Sequence, residues 1–356
     1  MIKILELFGG IGACSKALER LGIEHEIVDY VEIDKYAVKS FNAIHGTNFK
    51  PQDVCKWDKD IEVDLIMHGS PCQDFSLAGK QLGGDEGSGT RSSLMYETLR
   101  IVEKLKPKYV IWENVKNVIS EKHKHNFDRY VKEMQELGYI SNAKVLNSKY
   151  FGIPQNRERA FTISIRKDLK RLFIFPQATG LEIKLKDMLE DNVDEKYYLS
   201  EKTIKFFRSN EEKQIENGNG FRFNVSDGNV IGKTITTRAG SRMDDNFIEV
   251  KNEPQVIGGI GKKKSNGGTQ WYQQDRVYNN DIAISVTTEC NPYYKDKSRI
   301  RKLTPKECWR LMGFDDSDFD KASQVCSDNQ LYKQAGNSIV VNVLEAILKE
   351  LLKGEM

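Results

Sequence analysis

Ile2-Lys3-Ile4-Leu5-Glu6-Leu7-Phe8-Gly9-Gly10-Ile11-Gly12-Ala13 is the stretch that decides the fold class. The apolar run from Ile2 to Phe8 predicts a buried strand. Gly9 to Gly12 predict a turn, and Ala13 to Leu21 a helix that stops at Gly22. Strand, glycine turn and helix in that order form the first half of an α/β unit. Glycines at such a turn let the backbone approach a ligand, and the helix N-terminus that follows favours polar groups. The full G-x-G-x-x-G form is absent, so the turn alone does not name its ligand.

The same alternation continues outward. Strands are predicted at 27–33, 65–67, 109–112, 143–146 and 160–165, and helices at 35–44, 94–105 and 127–137. This predicts a doubly wound, mostly parallel α/β sheet. The texture changes after about Phe175. Residues 209–270 are rich in Asn, Gly, Ser and Lys, with short β-like pieces such as Thr234-Ile235-Thr236-Thr237. Helical pattern returns at 304–312, where Thr304 is a candidate N-cap and Pro305 fits the first helical position. A last helix at 340–352 carries an apolar stripe at 340, 341, 344, 347, 348, 351 and 352. The expected organisation is a catalytic domain of residues 1–175 plus 301–356, with a smaller, irregular and β-rich domain at 176–300.

Composition bounds the function. A chain of 356 residues with 39% hydrophobic and 30% charged residues fits a globular protein of about two domains. No apolar run reaches the ~18 residues of a membrane span, and no signal-peptide pattern precedes Ile2. Cysteines stand at 14, 55, 72, 290, 308 and 326. None form a Cys-x-x-Cys pair and the five histidines add no metal-like spacing, so no metal is expected. The reading is a cytoplasmic, reducing setting in which a free thiolate persists. The net charge of +2 hides a basic stretch from Gln255 to Lys302, with nine Lys/Arg against four Asp/Glu, which suits a phosphate backbone.

Four constellations carry the chemistry. The strand Asp64-Leu65-Ile66-Met67 runs into Gly69-Ser70-Pro71-Cys72-Gln73-Asp74-Phe75-Ser76, so Cys72 follows a strand end, where open α/β sheets place their chemistry. Pro71 stiffens the backbone just before the sulfur. Glu32 closes the second strand and Asp53 lies near the expected end of a third, positions suited to the ribose hydroxyls and adenine amine of an adenosine-containing cofactor, whether NAD or S-adenosylmethionine. Glu113-Asn114-Val115 leaves the strand at 109–112. In Gln155-Asn156-Arg157-Glu158-Arg159, an extended run puts 155, 157 and 159 on one face, where two guanidiniums need an anion or a carbonyl-rich partner. Finally, Gln334-Ala335-Gly336-Asn337-Ser338 precedes the last helix.

Taken in order, these motifs resemble the DNA (cytosine-5)-methyltransferases over nearly the whole chain. The matching pieces are Phe8-Gly9-Gly10-Ile11-Gly12, Glu32, Asp53, Pro71-Cys72-Gln73, Glu113-Asn114-Val115, Gln155-x-Arg157-x-Arg159, Arg301-x-Leu303-Thr304-Pro305-x-Glu307 and Gly336-Asn337-Ser338. The resemblance implies a Rossmann-like methyltransferase sheet and a target-recognition domain at 176–300. It implies that Phe8, Gly10, Gly12, Glu32, Ile33, Asp53, Val54, Leu94, Asn337 and Ser338 bind S-adenosylmethionine, with S-adenosylhomocysteine as product. Cys72 is the implied nucleophile, and Glu113, Arg157 and Arg159 the implied holders of a flipped cytosine. Gln73, Ser76, Gln81, Arg238, Arg242 and Ser285 are the candidate contacts to double-stranded DNA. The stretch from Ala78 to Ser93, with five glycines, is read as a closing loop. The protein is expected to act as a monomer, with a restriction endonuclease for the same site as a possible partner. The competing readings are a tRNA cytosine-5 methyltransferase of the same fold, a catalytically silent DNA-binding homologue, and a thiol-using NAD oxidoreductase.

Overall fold

A computed structural model of the chain describes residues 1–70, 94–250, 256–259, 276–278, 293–294 and 299–354. The chain divides into two compact units. The first holds residues 1–188, 231–239 and 305–356, and the second 189–230 and 240–304.

The first unit is built in chain order from β1 (Ile2–Leu7), α1 (Ala13–Arg20), β2 (His25–Val31), α2 (Lys35–His45), β3 (Leu65–His68), α3 (Met95–Leu105), β4 (Tyr109–Val115), α4 (Lys124–Glu136), β5 (Tyr139–Asn147), β6 (Gln155–Asn156) and β7 (Glu158–Arg166). Six of these strands form one sheet in the order β2-β1-β3-β4-β7-β5. The pairs β1/β2, β1/β3 and β3/β4 are parallel, and β7 runs antiparallel to both β4 and β5. Helical crossovers impose the parallel pairs, whereas the short link from Asn147 to Glu158 only allows a reversal. β1, β3 and β4 read as continuous apolar runs because both of their faces are covered. Leu5, Leu7, Ile66, Val110 and Trp112 pack with Met95, Leu99 and Val102 of α3 and with Tyr130 and Met134 of α4.

α1 is fixed midway along by a buried cation. Lys16 Nζ lies 2.8 Å from Asp315 and 3.1 Å from Asp318, and its side chain is 4% exposed. These aspartates cap and begin α7 (Asp316–Ser323), which follows α6 (Pro305–Arg310). The unit closes with α8 (Asp328–Asn337) and α9 (Val341–Leu351), whose apolar stripe is buried as its spacing predicts.

The second unit contains α5 (Glu201–Glu216), β8 (Val225–Ser226), β10 (Phe247–Val250), β11 (Val256–Gly259), β12 (Arg276–Tyr278), β13 (Tyr293–Tyr294) and β14 (Arg299–Lys302). It carries two three-stranded sheets, β14-β10-β8 and β11-β12-β13. Its small core gathers Phe207, Met243, Phe247 and Ile300.

The unit boundaries depart from the expected ones at 175/176 and 300/301. Residues 231–239, including β9 (Gly232–Lys233), lie inside the stretch assigned to the smaller domain but belong to the first unit. The cause is a set of hydrogen bonds. β9 pairs with β6, Ile235 N donates to Gln155 Oε1 at 2.8 Å, and Thr234 Oγ1 donates to Asn156 O at 2.7 Å. Gly336 at the end of α8 packs on the same segment, and a β-carbon there would overlap the backbone of Thr236 and Thr237. Gly336→Ala is therefore expected to lower stability by about 1–3 kcal/mol through overpacking. Thermal denaturation of the variant beside the wild type measures the loss.

Candidate active site

The chain leaves β1 through strained backbone. Phe8, Gly10 and Gly12 have φ of 53°, 56° and 82°. For Phe8, a residue with a β-carbon, the left-handed region costs roughly 1–2 kcal/mol. A hydrogen bond from Phe8 N to Val31 O at 2.7 Å holds it there. A β-carbon at Gly10 would meet nothing within 4 Å, so the turn leaves open space on that side. At Gly12 a β-carbon would run into His45 and Phe41, so that glycine serves the packing of α1 on α2.

A cleft opens beside this turn, inside the first unit. Phe8, Gly10, Asn337 and Ser338, four of the expected cofactor contacts, line it. So do Glu6, Ala13, Cys14, Met67, Gly69 and Ile339, which sequence reasoning did not single out, and Glu113 stands at the same opening. Gly12, Glu32, Ile33, Asp53, Val54 and Leu94 are not among its lining residues. Glu32 and Asp53 are nevertheless brought to one edge, because Gln52 N donates to Glu32 O at 2.8 Å. Glu32 accepts from Asp34 N at 2.8 Å and from Gly10 N at 3.2 Å. Burial raises its pKa above the usual carboxylate range. Asp53 caps the short turn Val54–Lys56 by accepting from Cys55 N. Ile33 is exposed, Val54 is buried, and Leu94 packs beside the α3 core.

Glu113 is the buried carboxyl group of the site, 9% exposed. The antiparallel register explains its partner. Arg159 stands directly opposite Val115, two residues along β4 from Glu113. Side chains two apart on a strand share a face, so Glu113 and Arg159 form a diagonal pair within reach of a long side chain. Arg159 Nε lies 3.1 Å from Glu113 Oε1. Burial nevertheless pushes the Glu113 pKa upward, against the opposing pull of the Arg159 and Arg157 charges. The arrangement is a carboxyl that holds its proton more readily than an ordinary Glu, beside a half-buried guanidinium.

Arg157 does not share that face, which corrects the expectation of one extended run. β6 stops at Asn156, and Arg157 N donates to Gln155 O at 3.1 Å in a tight turn. The Arg157 guanidinium points instead to three carbonyls, those of Ile235 (3.0 Å), Gly336 (3.0 Å) and Ser338 (2.8 Å). Charge-assisted bonds of this kind fix loops firmly. Arg157 therefore holds the walls of the site together through its two terminal nitrogens. Gln155 does similar work, donating to Leu311 O at 2.7 Å.

The candidate nucleic-acid residues separate as well. Cys72, Gln73, Ser76, Gln81, the glycine-rich stretch 78–93 and Ser285 lie outside the described residues. Arg238 is exposed on the 231–239 segment of the first unit, whereas Arg242 belongs to the second unit. Arg242 meets Asp244 through Nε at 3.1 Å and Nη2 at 3.3 Å, so a base would compete with that carboxylate for it.

A model of the C-5 cytosine-specific DNA methylases matches residues 2–353. The chain belongs to this family. It is 35% identical to an orphan methyltransferase of Bacillus phage SPR, across 99% of this chain and 97% of the relative. It is 32% identical to a type II methyltransferase of Lactococcus lactis subsp. cremoris, with both chains covered completely. Among solved structures, the Dnmt2 methyltransferase of S. pombe superposes with a TM-score of 0.67 at 17% identity, over 99% of each chain, a likeness of fold. The protein is thus a DNA (cytosine-5)-methyltransferase with a Rossmann-like sheet, and its family implies DNA as substrate and S-adenosylmethionine as methyl donor. Among the described residues no helix is long and apolar enough to cross a membrane.

Within this methylase, Glu6 is the cleft residue that sequence reasoning passed over. It is 2% exposed and accepts from Ser15 N at 3.1 Å and from Ser15 Oγ. Burial pushes its pKa up to about 7. A carboxyl whose pKa is raised by folding stabilises the folded state below its unfolded value and loses that advantage as pH rises to the folded value. Above about pH 7 the full cost, on the order of 3 kcal/mol at 1.36 kcal/mol per pKa unit, is present. Glu6→Gln is expected to melt higher than the wild type at pH 8, with the difference shrinking toward pH 5. Melting curves across that range measure it, and a constant difference would contradict the assignment.

Proposed function

We propose that this methyltransferase acts on a cytosine swung out of duplex DNA, through a covalent bond between Cys72 and C6 of the ring. The observation that carries this reading is the buried Glu113 carboxyl, paired with Arg159, lining the same cleft as the glycine turn. C5 of cytosine is a poor nucleophile while the ring is aromatic. A thiolate adding to C6 moves the C5–C6 π electrons toward C5, and covalent catalysis splits one hard step into easier ones. Glu113 donates its proton to N3 as charge builds on the ring, which its raised pKa favours. Its other oxygen accepts from the N4 amine, and Arg159 donates to O2.

The cleft fits the methyl donor. Gly10 leaves open space beside it, and Glu6, Asn337 and Ser338 give its lining polar groups. Bound S-adenosylmethionine supplies a sulfonium methyl, which the activated C5 takes to leave S-adenosylhomocysteine. The C5 proton then departs to water or a nearby base, the C5–C6 double bond reforms, Cys72 leaves as thiolate, and the N3 proton returns to Glu113. A stacked base exposes only its edges, so this chemistry requires extrusion, at a cost of a few kcal/mol.

The second unit, residues 189–230 and 240–304, reads the target sequence, and Gln73, Ser76, Gln81, Arg238 and Ser285 contact the DNA. Arg242 joins them once Asp244 releases it. The methylated site serves either an orphan role or protection from a restriction endonuclease; orphan and type II methyltransferases both occur among the relatives.

Cys72→Ser is expected to abolish methyl transfer while DNA binding survives, measured by methyl incorporation and by gel shift. DNA with 5-fluorocytosine at the target is expected to trap the wild type, because fluorine cannot leave as the proton does. Methylation by the serine variant would contradict the nucleophile assignment, and transfer to tRNA but not to DNA would contradict the substrate. Glu113→Gln is expected to lower kcat about 100- to 1,000-fold. In the wild type the rate falls as pH rises past the raised Glu113 pKa. Arg159→Ala removes a cation that lowers this pKa, so the alkaline limb moves to higher pH while the rate drops. A limb that stays fixed or moves to lower pH would contradict the pairing.

A further inference from the structure

The two neighbours of Glu113 on β4 do a separate task. Alternation along the strand turns Trp112 and Asn114 to the face opposite Glu113. Both reach the same residue. Trp112 Nε1 donates to Ser70 Oγ at 3.0 Å, and Asn114 Nδ2 donates to Ser70 O at 3.2 Å. Ser70 lies beyond the end of β3 at His68, where no ladder hydrogen bond fixes the chain. It is 3% exposed and stands two residues before Cys72 in the sequence.

Each donor is itself held. The Asn114 amide oxygen accepts from Val115 N at 2.8 Å, which leaves its NH2 group facing Ser70. Aspartate could not make this pair of bonds, because it would set an acceptor against a carbonyl. The Trp112 indole is 1% exposed. It stacks on His68 with 4° between the planes and packs 4.3 Å from the Tyr130 ring. His68, fully buried, is kept neutral by a pKa lowered to about 3 and meets the Tyr130 hydroxyl at 3.1 Å. A buried indole N–H needs an acceptor, and Ser70 Oγ supplies it.

We infer that Trp112 and Asn114 are positioning residues that hold Ser70, two residues ahead of Cys72 in the sequence, on the face of β4 opposite the Glu113 carboxyl. One strand thereby sets the acid on one face and the approach to the nucleophile from the other. This inference rests on the covalent reading above and assigns Trp112 no contact with the base. A misplacement of a reacting group costs rate more than binding.

The test is a double-mutant cycle on the full chain, with Trp112→Phe, Ser70→Ala and both together. Phenylalanine keeps an aromatic ring beside His68 and Tyr130 and removes the N–H. Each single variant is expected to lower kcat about tenfold, or about 1.4 kcal/mol of barrier. The KM values for DNA and S-adenosylmethionine stay within twofold, and melting temperatures stay within a few degrees. The double variant is expected to be no slower than the slower single one, because both remove the same hydrogen bond. Unchanged kcat in Trp112→Phe, losses that multiply in the double variant, or a kcat loss that follows melting temperature would each overturn the inference. Wild-type enzyme and Cys72→Ser run alongside: a wild type that forms no Cys72-dependent adduct defeats the covalent reading itself, whereas an active wild type matched by Trp112→Phe defeats only the positioning role.

Discussion

A carboxyl group kept out of water beside a guanidinium is the constraint on which the rest of the site depends. Burial and the Arg159 charge act on Glu113 in opposite directions, and burial has the larger effect. The balance comes from the sheet. β7 must run antiparallel to β4 for Arg159 to stand opposite Val115 and reach back to Glu113. The parallel strands β1, β3 and β4 then bring the glycine turn, the approach to Cys72 and the acid to the same C-terminal edge, the usual place for chemistry in open α/β sheets.

Such a site is held against its own preferences. Glu6 and Glu113 are carboxyl groups in places that disfavour their charged forms, and Phe8 occupies backbone that favours glycine. The surrounding structure offsets these costs with hydrogen bonds and ion pairs placed around the site. Lys16 is locked between Asp315 and Asp318, Arg157 collects three carbonyls, and Trp112 and Asn114 both reach Ser70. Stability given up at a functional site and restored around it is a common pattern.

Much of this was legible in the sequence. The covered strands β1, β3 and β4 announce themselves as short apolar runs, and the glycine turn marks the cleft. Edge strand β5 was seen only in part, because its first residues, Tyr139-Ile140-Ser141-Asn142, mix polar and apolar side chains and face solvent on one side. The break between β6 and β7 was not legible. Nothing in Gln155-Asn156-Arg157-Glu158-Arg159 signals that Arg157 turns inward toward carbonyls supplied by Ile235, Gly336 and Ser338, residues 78 to 181 positions away. For the same reason the membership of 231–239 in the first unit escaped composition, which sees a polar, irregular stretch. Glu6 lay inside a strand read for its hydrophobicity. A lone acid in an otherwise apolar run is a signal that could have found it, since a charge buried there needs a reason.

The most direct test of the account is a titration of the Glu113 side-chain carboxyl carbon by NMR, in protein labelled at glutamate carboxyls and assigned with Glu113→Gln. The account predicts a midpoint above the ordinary glutamate range, moving higher in Arg159→Ala. A midpoint at or below that range, or one that falls when the arginine is removed, would contradict it.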